Sequence, residues 1–251
     1  MTTPAALRPH LDGALLALDF DGTLSELVPD PMAARPVPGA IEALIELTHR
    51  GARIAIVTGR DAETVLELGE LQRIPDVVVS GLHGAESWQA GRLSTREEPP
   101  ALDELRRLLP PLLPPGVWLE DKRLSLVVHA RKADNPEQRL RELGHIVPRL
   151  VSERGLEAHP GKQVIEIRIP GLSKATALTG MLTDMTTAAL FAGDDLGDLP
   201  GVDAIRSWGE RTGRPAVSIA VGAVDELRAS TDLQLDEPAQ LAAWLTELAA
   251  A

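Results

Sequence analysis

The chain has 251 residues, 44% of them hydrophobic, and 37 acidic against 25 basic residues give a formal net charge of −12. This charge, with only 2% aromatic residues, argues against nucleic-acid binding, and the absence of cysteine excludes disulfides and thiolate metal ligands. Residues 1–12 lack an export-signal pattern, and no apolar run approaches the ~20 residues of a membrane span. We therefore expect a cytoplasmic protein that does not bind membranes.

The first predicted element is a buried parallel strand at residues 14–18, an unbroken apolar run. Asp19 and Asp21 follow it directly, and Gly22 allows the backbone to turn away sharply. Open α/β sheets bind ligands at the carboxyl ends of their strands, and two such carboxylates can face one cation. The pattern predicts a site for magnesium and phosphate. The alternative is an ordinary turn, in which Asp and Gly are common.

Strands and helices then alternate, first up to residue 79 and again from residue 174. The predicted helices are 40–50, 61–69, 174–182 and 239–250, and the predicted strands are 53–57, 76–79, 188–192 and 216–221. Such alternation is typical of βαβ units. We predict the α/β class, with a Rossmann-like parallel sheet formed by both ends of the chain.

The middle of the chain has a different pattern, beginning near a proline-rich stretch. Helices are predicted at 102–109 and 136–154, and strands at 124–129 and 163–168 alternate as half-exposed antiparallel strands do. We predict an inserted α+β cap domain at residues 90–170. The catalytic core would consist of residues 1–89 and 171–251.

Three further motifs follow predicted strands or begin a helix. Thr58, Gly59 and Arg60 follow the second strand, Lys174 begins a helix, and the pair Asp194 and Asp195, with Asp198, follows a later strand. In this order, after Asp19 and Asp21, the motifs resemble those of the haloacid dehalogenase superfamily, in its magnesium-dependent phosphatase branch. The insert between Thr58 and Lys174 resembles the second type of cap found in that superfamily.

The resemblance implies a division of roles. Asp19 would be the nucleophile and Asp21 the general acid and base, while Thr58 and Lys174 would hold the phosphoryl oxygens. Alternatively, Thr58 only caps the following helix and Lys174 is a solvated surface residue.

The resemblance also implies a Mg²⁺ cofactor. Its ligands would be Asp19, the backbone carbonyl of Asp21, and Asp194, with Asp195 and Asp198 orienting these groups. An acidic cluster of this kind repels itself unless a cation is present.

A second set of motifs resembles the trehalose-6-phosphate phosphatases in particular. These are the loop at residues 81–86, Glu120 with Lys122, His129 with Arg131, and the run from Gly161 and Lys162 to Glu166. The resemblance implies that the substrate is bound by Arg60, His83, Glu86, Glu120, Lys122, His129, Arg131 and Glu166. The alternatives are a turn role for His83, solvated charges, and a surface pair of Glu120 with Lys122.

The implied activity is the hydrolysis of trehalose 6-phosphate through an aspartyl-phosphate, the last step of trehalose biosynthesis. We expect a monomer, with the trehalose-6-phosphate synthase as a candidate partner. One alternative is a phosphatase of another sugar phosphate, such as a hexose phosphate or a glycosyl phosphoglycerate. The other is a catalytically weak regulatory domain that binds a sugar phosphate. Leu199 and Ala175 depart from the family pattern, which usually has Glu and Gly there.

Overall fold

The structure, a computed structural model, describes residues 4–161 and 163–250, with only the backbone of Pro4 and Ala5. Lys162, part of a predicted motif, lies outside the described residues. The chain divides into two compact units, the first from Met1–Ser94 with Ser173–Ala251 and the second from Thr95–Leu172. Within the described residues, no helix combines the length and the apolar character needed to cross a bilayer.

The first unit contains an eight-stranded sheet. Numbered in chain order, its strands are β1 Leu15–Leu18, β2 Arg53–Val57, β3 Val78–Gly81, β4 Glu86–Gln89, β5 Arg92–Thr95, β10 Ala189–Gly193, β11 Ala216–Val221 and β12 Leu233–Leu235. Their order across the sheet is β12-β11-β10-β1-β2-β3-β4-β5. The strands from β12 to β3 are parallel, and β4 pairs antiparallel with β3. The predicted α/β class is confirmed.

Helices cover both faces of this sheet. They are α1 Pro4–Leu7, α2 Ala40–His49, α3 Ala62–Gly69, α6 Lys174–Met181, α7 Leu199–Thr212, α8 Asp225–Ala229 and α9 Pro238–Ala249. Successive residues of β1 point to opposite faces. Leu16 and Leu18 belong to the apolar cluster that includes α2 and α9, whereas Leu15 and Ala17 belong to the cluster that includes α6 and α7. Burial on both faces explains the unbroken apolar run.

The second unit is a smaller α+β module. Its strands are β6 Trp118–Asp121, β7 Ser125–His129, β8 Glu157–Gly161 and β9 Val164–Arg168, and its helices are α4 Pro100–Leu108 and α5 Pro136–Ser152. The four strands are antiparallel in the order β6-β7-β9-β8. Helix α5 lies against β8 and β9, and α4 lies against β7.

Two expectations about this region need correction. The prediction that residues 124–129 are half-exposed is wrong, because β7 is buried along its whole length as an inner strand, whereas β9 alternates as predicted. The predicted cap boundary at residue 90 is too early. The strands β4 and β5 continue the first unit's sheet.

Candidate active site

Three side chains that the sequence singled out follow neighbouring strands of the first unit. Asp19 directly follows β1, and its amide donates to the carbonyl of Ala192 on β10 at 2.9 Å. Asp194 follows β10, and Thr58 follows β2. Because β1 lies between β10 and β2 in a parallel arrangement, all three residues lie at the same edge of the sheet.

The backbone makes a tight turn at Gly22, shortly after Asp19. Gly22 has φ +72°, a conformation that residues with a Cβ rarely adopt. A Cβ on Gly22 would also collide with the Asp194 carboxylate. The glycine therefore allows the backbone after Asp19 to pass directly beside this carboxylate.

Lys174 lies among the carboxylates as the first residue of α6, where Ser173 caps the helix by accepting from the amide of Thr176. Its Nζ lies 2.9 Å from Oδ1 of Asp19 and 2.6 Å from Oδ1 of Asp198. Burial lowers the pKa of Lys174, but the charges of Asp19 and Asp198 outweigh it, so the pKa lies above its ordinary value. The side chain is thus a fixed buried cation.

Asp198 is fully buried, and both of its oxygens have partners. Oδ1 binds Lys174, and Oδ2 accepts from the amides of Asp194 at 2.9 Å and Asp195 at 3.1 Å. Asp195 is exposed, and its Oδ1 accepts from the amide of Gly197. These bonds fix the loop after β10 and favour an orienting role for Asp198.

The acidic cluster has the composition of a hard-cation site. Asp19, Asp194 and Asp198 each offer an oxygen within 4.8 Å of the others. Burial raises the pKa of Asp19 to about 7, although Lys174 lowers it. Burial, followed by the charges of Asp19 and Asp198, raises the pKa of Asp194 to about 9. Carboxylates that repel one another and offer only oxygen fit a Mg²⁺ ion, which would relieve the repulsion.

Arg60 contacts Asp21. Its Nε and one terminal nitrogen donate to the two oxygens of the Asp21 carboxylate, each at 2.6 Å. Thr58 is buried, and its hydroxyl accepts from the amide of Arg60 at 3.1 Å. The structure therefore pairs Arg60, which was expected to bind the substrate, with Asp21, the expected general acid and base.

His83 and Glu86 follow β3 in the first unit, and this segment contacts the turn that contains Thr58 and Arg60. The amides of Leu82 and His83 donate to the carbonyls of Arg60 and Thr58 at 2.8 and 3.1 Å. A Cβ on Gly59 would lie 3.0 Å from the His83 ring. The buried carboxylate of Glu86 accepts from the amide of Ala62, the first residue of α3, at 2.8 Å. These contacts favour a structural role for the Glu86 carboxylate in holding the turn, and they place the His83 ring beside Gly59.

The second unit has a polar sheet face, defined by Trp118, Glu120, His129 and Glu166, which its strand register places on one side. His129 is buried, with Nε2 at 2.6 Å from the Glu120 carboxylate and Nδ1 at 2.9 Å from a nitrogen of Arg131. Because arginine can only donate, Nδ1 accepts, and Nε2 carries the proton that Glu120 accepts. The ring stacks on Trp118 with centroids 4.7 Å apart.

The remaining expected cap residues lie nearby in the second unit. Glu166 pairs with Arg168, two residues along the same strand face. Lys122 lies in the β6–β7 turn, where its amide donates to the carbonyl of Ser125 at 2.9 Å. Cations beside carboxylates on this face provide both donors and acceptors of hydrogen bonds.

A model of the trehalose-phosphatase family matches residues 17–238. The chain belongs to the trehalose-phosphatase family. Trehalose-phosphate phosphatases of Mycobacterium leprae and Mycobacterium tuberculosis are 35% and 33% identical to it, over 75% and 92% of the chain. The chain spans 47% and 60% of the lengths of these two relatives. A solved trehalose-6-phosphate phosphatase from Aspergillus fumigatus shares the fold, with a TM-score of 0.74, 24% identity, and coverage of 98% of this chain and 97% of its own.

In this trehalose-phosphatase family member, the predicted residues form two groups, one in each unit. The first unit contains Asp19, Asp21, Thr58, Arg60, His83, Glu86, Lys174, Asp194, Asp195 and Asp198, and the second contains Glu120, Lys122, His129, Arg131 and Glu166. Sequence reasoning missed Trp118. Its place two residues before Glu120, in a chain with only four tryptophans, was the available signal.

Proposed function

We propose that this chain hydrolyses trehalose 6-phosphate to trehalose and phosphate through an aspartyl-phosphate on Asp19. The main structural observation is the buried contact between Asp19 and Lys174 at the carboxyl end of β1, beside the Asp194 carboxylate. Family membership supports the substrate class. An acidic chain repels a phosphate at long range, so a local cation is needed to bind one.

The reaction would proceed in two displacements. First, an oxygen of Asp19 attacks phosphorus, the bond from phosphorus to the sugar oxygen breaks, and Asp21 gives its proton to that oxygen. Next, water attacks phosphorus and loses a proton to Asp21. The bond from phosphorus to Asp19 then breaks, which releases inorganic phosphate and restores the carboxylate.

The other residues of the first unit would prepare the site for these steps. Lys174 places a fixed positive charge 2.9 Å from the nucleophile, and the Thr58 hydroxyl would hold a phosphoryl oxygen. Mg²⁺ would be held by Asp19, the Asp21 carbonyl and Asp194, with Asp195 and Asp198 orienting them. When bound, it would neutralise the negative charge that the carboxylates and the phosphate bring together.

Recognition of the sugar would depend on the polar sheet face of the second unit. We assign the recognition of the sugar to Glu120, Lys122, His129, Arg131 and Glu166. The carboxylates and cations of this set can form hydrogen bonds with sugar hydroxyls. His129 is buried between two bonded partners, so it would orient Glu120 and Arg131. A cytoplasmic location, a monomeric state and a partnership with the synthase stay predictions.

The test is phosphate release from trehalose 6-phosphate, sucrose 6-phosphate and glucose 6-phosphate, with Mg²⁺ and with a chelator. We expect Mg²⁺-dependent preference for trehalose 6-phosphate. Asp19→Asn should abolish release, whereas Asp203→Asn, an exposed residue of α7, should not change it. Preference for another sugar would leave the role of Asp19 intact and overturn the substrate. Tight binding without release from any of them would indicate a regulatory domain.

A further inference from the structure

Arg60 has a more specific role in the geometry of the site than substrate contact. We propose that Arg60 is a positioning residue that holds the ionised Asp21 carboxylate in place to take a proton from the attacking water. The proposal rests on the proposed function, because it assumes that Asp21 acts as acid and base. It replaces the expectation that Arg60 binds the substrate.

Arg60 binds the Asp21 carboxylate through two hydrogen bonds and not one. Two nitrogens of one planar guanidinium donate to the two oxygens of one carboxylate, both at 2.6 Å. A parallel pair of bonds fixes the plane of the carboxylate as well as its position, which a single bond does not. The two side chains are only 14% and 32% exposed, so water competes weakly for these bonds.

Arg60 is itself held in place through its backbone. Its amide donates to the Thr58 hydroxyl, and its carbonyl accepts from the Leu82 amide. A Cβ on Gly81 would lie 2.9 Å from that carbonyl and 2.6 Å from the amide of Ala62, so the two loops approach closely. The guanidinium carbon also lies 5.8 Å from the centre of the Phe20 ring, within cation–π range.

These contacts connect the loop after β3 to the acid and base. The loop holds the backbone of Arg60, and the side chain of Arg60 holds Asp21. Asp21 lies in the turn after β1, where its side chain is partly exposed. Without Arg60, a partly exposed aspartate would sample several rotamers, and small misplacements of a reacting group slow proton transfer strongly.

A chromogenic substrate separates the two candidate roles of Arg60. The leaving group of p-nitrophenyl phosphate departs without protonation, so the first displacement does not need Asp21, whereas the attack of water still does. In rapid mixing with excess Mg²⁺, the burst of p-nitrophenolate reports the first step. The steady-state rate, and the phosphoenzyme trapped by acid quench, report the second.

The experiment compares wild type, Arg60→Gln, Asp21→Asn, the double variant, and Arg73→Gln. Arg73 is the matched control, since it also pairs with carboxylates but is exposed at a 3-10 turn, Leu71–Arg73. We expect Arg60→Gln and Asp21→Asn to keep the burst rate within about threefold and to lower the steady-state rate by about a hundredfold, the size of a lost proton-transfer group. Both should accumulate phosphoenzyme. The double variant should resemble Asp21→Asn.

Other outcomes would overturn the proposal. If Arg60→Gln slowed the burst tenfold or raised the KM for the aryl phosphate, and did so in the Asp21→Asn background too, Arg60 would bind the phosphate. Equal and additive losses in both steps would indicate a general structural defect. Absence of any Mg²⁺-dependent release of p-nitrophenolate or phosphate by wild type would instead refute the proposed function, so the two failures are distinguishable.

Discussion

The site residues of the first unit and the polar sheet face of the second unit both include paired carboxylates, but they differ in how exposed their side chains are to solvent. Asp198 and Lys174 are 0% and 5% exposed in their side chains and are bonded to each other, whereas the Glu120 side chain is 43% exposed. A buried charge that loses its partner cannot be solvated, but a half-exposed one can. Loss of Asp198 should therefore reduce stability and activity together, whereas loss of the Glu120 carboxylate should reduce sugar recognition alone.

The sharpest test of this difference is Asp198→Ala. It leaves the Lys174 ammonium and the amides of Asp194 and Asp195 without their buried acceptor. We expect a loss of about 3–5 kcal/mol of unfolding free energy, the usual effect of breaking a buried ion pair. The melting temperature should fall by roughly 10 °C, and turnover should become undetectable.

Calorimetry and phosphate-release assays would measure both effects. The control is Asp203→Ala, an exposed partner of Arg206, which should change stability by less than about 0.5 kcal/mol. A stable but inactive Asp198→Ala protein would contradict the link between stability and activity in this region.

Gly22→Ala should mainly affect activity. The new Cβ would occupy the position of the Asp194 carboxylate, and φ +72° would become strained. We expect turnover to fall by about a hundredfold, because a displacement of ~1 Å at reacting groups has that effect. Gly180→Ala is the control, since no atom lies within 4 Å of its Cβ position in α6. Normal Mg²⁺-dependent turnover in Gly22→Ala would show that the close approach of the Gly22 backbone to the Asp194 carboxylate is not required.

On the polar sheet face, Glu120→Gln should affect only the turnover of the proposed substrate, trehalose 6-phosphate. The change removes the charge that His129 binds but retains an oxygen acceptor. We expect kcat/KM for trehalose 6-phosphate to fall by roughly tenfold, about one charge-assisted hydrogen bond, with p-nitrophenyl phosphate unchanged. Glu153→Gln, in an exposed pair with Arg149 in the same unit, is the control. An equal loss for both substrates would contradict a role in sugar recognition.

The smallest expected effect is on the pH dependence of stability. The pKa values of Asp19 and Asp194 rise from the ordinary 3.8 to about 7 and about 9, so the native state without cation binds more protons than the unfolded state. Its stability should therefore fall as pH rises from about 4 through 9. In the proposed site Mg²⁺ would bind the ionised carboxylates, and it should then oppose this fall.

Thermal denaturation with Mg²⁺ and with chelator, at pH 6 and pH 8.5, would measure this. Stabilisation by Mg²⁺ should be greater by a few degrees at pH 8.5. Asp19→Asn with Asp194→Asn should remove the difference. An equal stabilisation at both pH values in wild type would show that these carboxylates are not the ligands.

The fold was predictable where one residue pattern had one interpretation. β2 and β11 have the predicted bounds, because apolar runs buried on both faces stand out from their neighbours. In contrast, β8 includes Pro160 and its residues are exposed or half-exposed, so its pairing with β9 leaves little trace in the sequence. Helix α7 begins at Leu199, where the family usually has Glu, and this side chain packs against the apolar cluster of α6 and α7.

By itself the sequence determined which carboxylates follow β1 and β10, and that Lys174 begins a helix. These follow from local pattern, because strand ends and helix starts have short-range signals. Only the tertiary structure decided the partners. Arg60 lies 39 positions from Asp21, and Lys174 lies 24 positions from Asp198. Such pairs depend on strand order and loop geometry, which short-range patterns do not specify.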